Sequence, residues 1–340
     1  MKHTITLIPG DGIGPEIVTA CKKVIEHSGV EIDWEPVEAG MIALEKYRDP
    51  LPNEVIKSIE KNKIALKGPL TTPVGKGFRS VNVALRKEFE LYVNQRPAKT
   101  YKGIKTFFDH LDLMIFRENL EEFYSGIEHY IDSSHSAAES IGIITRRGSE
   151  RIVRFAFEYA AKHNRKKITV VHKANILKFT GGLFLDIAKE IAPHYPTIKF
   201  DDKIVDNMAM QMVMNPYQFD VIVTTNLFGD ILSDLASGLV GGLGMAPGAN
   251  IGDGAAIFEA VHGSAPDIAG KNIANPSAII LAGVMMLEYL NEESAARKIE
   301  KALANIIERG EKVTKDINPN NFVTTDVFAE EVCKELDKIN

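Results

Sequence analysis

Short runs of apolar, largely β-branched residues alternate along the chain with stretches whose apolar positions recur every three or four residues. Residues 4–9 read as a strand and 15–28 as a helix. Residues 65–68, 113–117, 169–172 and 221–225 read as further buried strands, each followed by helical sequence. This alternation predicts an α/β fold with a mostly parallel or mixed sheet. There is no internal repeat and no low-complexity linker, so domain boundaries are weakly marked. Two candidate crossings are Pro97-Ala98-Lys99 and the glycine-rich stretch 238–254. Residues 125–145 break the rhythm: they are rich in Ser and His with short β-type patches, and read as an excursion from the main fold. Such an excursion is either a surface loop or an arm that packs on a partner.

Composition narrows the class. The chain has 340 residues, 45% hydrophobic and 25% charged, as in an ordinary globular enzyme of roughly two domains. A net charge of -6 and a pI near 5.9 argue against generic nucleic-acid binding. The two cysteines, Cys21 and Cys333, are far apart without CxxC spacing, which fits a reducing compartment. The best candidate for a membrane span, 278–287, falls far short of the roughly 20 apolar residues needed. With no signal-peptide core at the start, the expectation is a cytoplasmic enzyme with no membrane partner.

Several motifs carry candidate chemistry. Pro9-Gly10-Asp11-Gly12-Ile13-Gly14-Pro15 follows a strand and opens a helix, but Pro15 stands where a dinucleotide fingerprint needs its third glycine. It reads as a strand–turn–helix junction, with Pro15 suited to the first turn. Ser80 and Asn82 precede Arg86 and Arg96. Arginine forks match carboxylates bidentately, and the two small side chains add neutral donors. Together they suit a substrate with several carboxylates, although Val83, Leu85, Phe89 and Leu91 also fit a part-buried helix with solvated arginines. Asp230 and Asp234 are spaced i, i+4 at the start of a predicted helix, so both lie on one face. Two carboxylates there favour a hard cation such as Mg²⁺ or Mn²⁺; acids complementing the helix dipole account for Asp230 equally well, and less well for Asp234. Asp206 is a third acid in apolar surroundings. Lys173 ends a predicted strand and is a candidate base, and Tyr124 a candidate acid. Taken singly, each has an ordinary structural reading.

Taken together, these segments resemble the metal-dependent β-decarboxylating dehydrogenases, which act on isocitrate, homoisocitrate and 3-isopropylmalate. The blocks that carry the resemblance most specifically run from Asn226 to Gly244 and through His262-Gly263-Ser264-Ala265-Pro266-Asp267-Ile268-Ala269-Gly270-Lys271. The resemblance implies a non-Rossmann α/β fold: a large domain over 1–97 and 245–340, a small domain over 98–124 and 146–244, and a dimer clasp over 125–145. It implies that Arg86, Arg96 and Arg117 hold substrate carboxylates. It makes Asp230 and Asp234 metal ligands of one subunit, with Asp206 and the base Lys173 donated by the other, and Tyr124 the general acid. Toward the cofactor it implies Thr72, Asn82, Asn175, Glu259, His262, Gly263, Ala265, Asp267, Ile268 and Asn275.

Relatives that act on isopropylmalate place leucines ahead of the arginines, whereas this chain has Ser80 and Asn82, as isocitrate enzymes do. A polar site rejects an apolar substituent because its own buried groups would be left unpaired. Isocitrate is therefore the expected substrate. Homoisocitrate, one methylene longer and separable by only about 1–3 kcal/mol, is the alternative. Where relatives that use NADP commonly carry Lys-Tyr, this chain has Asp267-Ile268. An aspartate accepts hydrogen bonds from ribose hydroxyls and repels a 2′-phosphate, so NAD is the expected cofactor. A non-catalytic regulatory subunit is the reading from another class, but such chains lose the lysine, the tyrosine or an aspartate, and all are present here. In some bacterial isocitrate enzymes the serine that matches Ser80 is a phosphorylation switch.

Overall fold

The structure is a computed structural model that describes residues 2–73, 78 and 80–339. Its strands are β1 (His3–Ile8), β2 (Ile32–Pro36), β3 (Ile64–Lys67), β4 (Val93–Lys99), β5 (Asp112–Glu118), β6 (Glu128–Tyr130), β7 (Ala138–Ser140), β8 (Lys167–His172), β9 (Lys199–Ile204), β10 (Val221–Thr224), β11 (Pro247–Ile251) and β12 (Ala256–Ala260). Among the described residues one sheet has ten strands, in the order β2-β1-β3-β12-β11-β4-β5-β10-β8-β9. Two parallel wings, β2-β1-β3-β12 and β5-β10-β8-β9, flank an antiparallel centre in which β11 pairs with β12 and β4, and β4 with β5. The first wing comes from both ends of the chain and the second from its middle. This order is not that of a dinucleotide-binding Rossmann sheet.

Side chains alternate across each strand, so the sheet has two distinct faces. One face is continuously apolar. Leu7, Leu66, Phe258, Ala249, Val93, Phe116, Val223 and Val170 share a single core beneath the helices Gly14–His27, Arg146–Lys162 and Ser277–Tyr289. The other face is interrupted. Its first wing is covered by Val55, Ile59 and Leu85 over Ala65 and Ile257. Its second is covered by Met208, Met212, Leu232 and Ala236 over Leu113, Ile115 and Ile222. Between these apolar patches the same face carries buried Lys67, Glu259, Asn250, Asn94, Arg96 and Arg117. A charged gap in a core is costly unless its groups are paired or await a ligand, and it marks the site.

The Gly-Asp-Gly-Ile-Gly turn is a junction between distant segments of the chain. Gly12 has φ +58°, and a Cβ there would lie 2.0 Å from the Ser264 carbonyl oxygen. The Ile13 amide donates to that carbonyl at 2.9 Å, while the buried Asp11 carboxylate accepts the Met41 and Thr71 amides at 2.9 and 2.8 Å. Both candidate crossings fall within the sheet. Residues 97–99 lie within β4, hydrogen-bonded to β5, and the second half of 238–254 forms fully buried β11 at the sheet's centre. Gly241 and Gly242, at φ +116° and +101°, make a tight turn before it. The apolar run 278–287 is a helix buried on nearly all sides, and none of the described helices is long and apolar enough to cross a membrane. Residues 125–145 carry the exposed hairpin β6-β7 and rejoin the body through a bridge between Glu122 and Ile143.

Candidate active site

Arg117 sits at the C-terminal end of β5, only 1% exposed. Its guanidinium donates to Asn226 Oδ1 through Nε at 3.0 Å and Nη2 at 2.8 Å, and through Nη1 to Asp230. Asn226 opens the helix Asn226–Leu239, which follows β10, so strand pairing β5-β10 brings both residues to one end of the sheet. Asp230 is the fifth residue of that helix, past the first turn, and its partners are side chains. The Tyr124 hydroxyl donates to Asp230 Oδ2 at 2.6 Å, and the Arg117 guanidinium lies over the Tyr124 ring at 4.9 Å. Arg96 and Arg86 are buried beside them, from β4 and the helix Val81–Glu88. Four of the predicted substrate and acid–base residues thus meet Asp230 at the charged gap.

Burial lowers the Arg96 pKa to about 10, with Arg117 adding to the effect, and burial lowers Arg86 too. Both remain cationic at neutral pH. Burial would raise the Glu259 carboxyl, but Lys67 at 2.6 Å, Arg86 and Arg96 outweigh it and leave it at about 2. Burial likewise pushes Asp230 up, and Arg117, the Tyr124 hydroxyl, Arg96 and Arg86 reverse it to a net lowering. Tyr124 is raised, chiefly by burial, so it keeps its proton at neutral pH. Ser80 caps the helix Val81–Glu88, its Oγ 3.5 Å from the Val83 amide and 3.3 Å from the Thr72 hydroxyl. Among the described residues, buried Asn82 Oδ1 and Arg86 Nε have no hydrogen-bond partner, as expected of groups built to meet a ligand.

The acids divide into two groups. Asp234 has no hydrogen-bond or ion-pair partner among the described residues, and burial raises its pKa with Asp230 adding to the rise. Two hard oxygen donors one turn apart fit a divalent cation. Asp206 instead pairs with Lys173, whose hydrogen bond lowers the Asp206 pKa. Among the described residues no three His, Cys, Asp or Glu gather as a metal-holding group, so Asp206 does not join Asp230 and Asp234 within one chain.

A cavity of about 720 Å³ opens beside the Gly-Asp-Gly-Ile-Gly junction. Its wall includes the predicted His262, Gly263, Ala265, Ile268 and Asn275. His262 Nδ1 is 3.0 Å from its neighbour's carbonyl, and its buried Nε2 is an acceptor without a partner among the described residues. Asp267 is exposed on the same loop, between Ala265 and Ile268. Thr72 and Asn175 are exposed and outside the wall, and Glu259 is buried beneath the arginines. The sequence reading missed Ile13, Gly244, Lys315 and Asp316, which also line the cavity. Asp316 is fixed by Asn275 at 2.8 Å and Thr314 at 2.6 Å. A polar loop, Thr314-Lys315-Asp316, following a long amphipathic helix was the available signal.

Comparison with known proteins agrees with this fold. Residues 4–332 match the family model described as isocitrate/isopropylmalate dehydrogenase. The chain belongs to that family. A crystal structure of isocitrate dehydrogenase from Methylococcus capsulatus superposes with a TM-score of 0.96 at 58% identity, covering 98% of this chain and 99% of that one. A mitochondrial protein of Drosophila melanogaster, named as the probable alpha chain of NAD isocitrate dehydrogenase, is 48% identical over 98% of this chain and 87% of its own length. A mitochondrial protein of Dictyostelium discoideum, named as a regulatory chain of NAD isocitrate dehydrogenase, is 47% identical over 98% of this chain and 93% of its own.

Proposed function

We propose that this chain catalyses the oxidative decarboxylation of isocitrate to 2-oxoglutarate and CO₂ with reduction of NAD. The observation that carries the reading is the convergence of Arg86, Arg96 and Arg117 with Tyr124 and Asp230 in a buried charged gap. Three arginines suit a polycarboxylate. Ser80 and Asn82, at the entrance to the helix bearing Arg86, are the groups for the third carboxylate, and this favours isocitrate over its isopropyl analogue. When bound, NAD would accept the hydride from C2, and Mg²⁺ or Mn²⁺ at Asp230 and Asp234 would supply Lewis acidity at the C2 oxygen. The arginines hold the substrate's carboxylates in fixed directions. Lys173 takes the C2 hydroxyl proton, and after CO₂ leaves Tyr124 returns a proton to C3. NAD would lie in the cavity beside His262 and Asn275, with Asp267 toward the adenosine ribose.

Because Lys173 and Asp206 pair with each other and stand apart from Asp230, the reading needs a second copy of the chain to complete each site. Exposed Met210, Val213, Met214, Tyr217 and Ile231, with Ile127, Tyr130, Ile131, Ile141 and Ile143 of the hairpin region, supply apolar surface for it. Free, buried Cys21 and Cys333 support a reducing compartment, and we propose the cytoplasm. The relatives quoted from Drosophila and Dictyostelium are named mitochondrial. Fractionation of the source cells decides between the two.

The test is to assay the purified chain with isocitrate, homoisocitrate and isopropylmalate, each with NAD and NADP, with Mg²⁺ and after chelation. Fastest turnover of isocitrate with NAD, lost on chelation, is expected. A preference for NADP or for isopropylmalate overturns the assignment. No turnover at all favours the second reading, a regulatory role, which the Dictyostelium relative's name brings forward.

A further inference from the structure

The floor of the charged gap contains a directed chain of hydrogen bonds. Arg96 Nε donates to Asn94 Oδ1 at 2.7 Å, Asn94 Nδ2 to Asn250 Oδ1 at 2.9 Å, and Asn250 Nδ2 to Glu259 Oε1 at 2.7 Å. The other Glu259 oxygen takes Lys67 Nζ at 2.6 Å. Arginine can only donate and an ionised carboxylate only accept. The two ends therefore dictate the orientation of both amides between them, and neither can flip without facing like against like. A second donor, Asn119 Nδ2 at 3.0 Å, completes Asn250 Oδ1 and is itself tethered to its amide orientation by the Leu91 carbonyl at 2.9 Å. Asn94 and Asn250 are 0% and 2% exposed, so neither is open to bulk water.

Resting on the isocitrate reading above, we infer that Asn94 and Asn250 are positioning residues that fix the Arg96 guanidinium for substrate through this relay. Holding Nε pins the plane of the fork, while both Nη groups make no hydrogen bond or ion pair among the described residues and can meet a carboxylate. Asn250 also ties four strands at one point. It lies on β11, reaches Glu259 on β12 and Asn94 on β4, and takes Asn119, which directly follows β5. Glu259 leads within three residues to His262 on the cofactor cavity, so the relay joins the cofactor strand to the substrate arginine. The sheet's antiparallel centre thereby sets the distance between the two ligands. A polarised chain between a cation and an anion is stiffer than separate amide pairs.

The experiment is a double-mutant cycle of Asn94→Ala with Arg96→Lys, read as the KM for isocitrate, the KM for NAD, kcat and the thermal midpoint. In the parent background Asn94→Ala should raise the isocitrate KM about tenfold or more, as expected for loss of a hydrogen bond to a charged group, with the NAD KM and kcat changed by no more than about twofold. Lysine has no Nε fork to hold, so in the Arg96→Lys background the same change should cost less than about threefold. Equal penalties in the two backgrounds, or an NAD KM rising in step, would mean the asparagines only hold the sheet together and would overturn the inference. Should Asn94→Ala not fold, Asn250→Ser, one link further from Arg96, carries the same cycle with the same criteria. If the parent oxidises another malate-type acid and not isocitrate, the substrate reading fails, while the cycle run on that acid still decides the relay.

Discussion

Glu259 shows how a single buried charge is made tolerable and what it costs. Desolvation works against its carboxylate, and Lys67, Arg86 and Arg96 hold it at about 2 against an ordinary value of 4.5. The folded pKa lies below the unfolded one, so the stabilisation is complete above about pH 4.5 and fades as pH falls toward 2. A shift of this size corresponds to roughly 3 kcal/mol at neutral pH. Glu259→Gln should therefore flatten the acid limb of a stability–pH curve from chemical denaturation, and an unchanged limb would show that Glu259 is not its source. Ser80 tests specificity at the same scale. Ser80→Leu removes a helix cap, which costs about 1 kcal/mol, and a small polar group beside the substrate arginines. Isocitrate turnover should fall far more than isopropylmalate turnover, because cap loss alone lowers both alike; equal losses would falsify the role given to Ser80. Candidate residues could be named where type and spacing point to a chemistry, as with Asp230 and Asp234 or Ser80 and Asn82. Asn94, Asn250 and Asn119 could not be named, since a lone asparagine carries no signal until the sheet brings three of them together. Glu259 was assigned to the cofactor by resemblance, and the structure places it under the arginines.

Elements were most legible where hydrophobic runs were uniform. The runs at 65–68, 113–117, 169–172 and 221–225 correspond to Ile64–Lys67, Asp112–Glu118, Lys167–His172 and Val221–Thr224. The edge strand Lys199–Ile204 was missed because its Lys-Phe-Asp-Asp-Lys-Ile pattern is polar, which suits an edge and hides a strand. β11 was missed because Pro247 and Gly248 read as breakers. In the sheet, Gly248 leaves room for Arg96, whose Nε lies 3.3 Å from where a Cβ would stand. Packing of one element on another is invisible to periodicity, and Gly229 is the instructive case. In the helix Asn226–Leu239 its missing Cβ lets Arg117 lie flat on the helix, since a Cβ would sit 2.5 Å from Arg117 Cγ. Helix propensity alone would make Gly229→Ala stabilising by about 1 kcal/mol. Here it should displace a fully buried arginine instead, and lower kcat/KM at least about tenfold, with the helix retained by circular dichroism. Wild-type kinetics in that variant would show that Arg117 can move without loss.

At the scale of the molecule, the proposed active site falls into two groups of residues that lie apart within one chain. Arg86, Arg96, Arg117, Tyr124, Asp230 and Asp234 form one half, and Lys173 with Asp206 the other. The Lys173–Asp206 pair is exposed on the acid's side, 68% by side chain, as a group awaiting a neighbour would be. In the proposed symmetric dimer each copy would supply the other's missing half, and a two-fold interface would make both exchanges at once. Complementation between variants distinguishes this from two complete sites on independent chains. Lys173→Ala damages one half and Asp234→Asn the other, so each purified variant should be nearly inactive. Mixed in equal amounts and allowed to exchange, half of the dimers pair unlike variants. Each such dimer has one site that draws both halves from intact copies and one that draws both from damaged ones. Activity should then recover to about a quarter of the parent's, the statistical share for one rescued site in half of the dimers. Recovery should be slow at high protein concentration, where exchange is limited by dissociation, and faster after brief dilution. No recovery, after native mass spectrometry has shown the mixed dimer to form, would mean that Lys173 acts within its own chain, and the site would have to be rebuilt around a movement that carries Lys173 and Asp206 to Asp230.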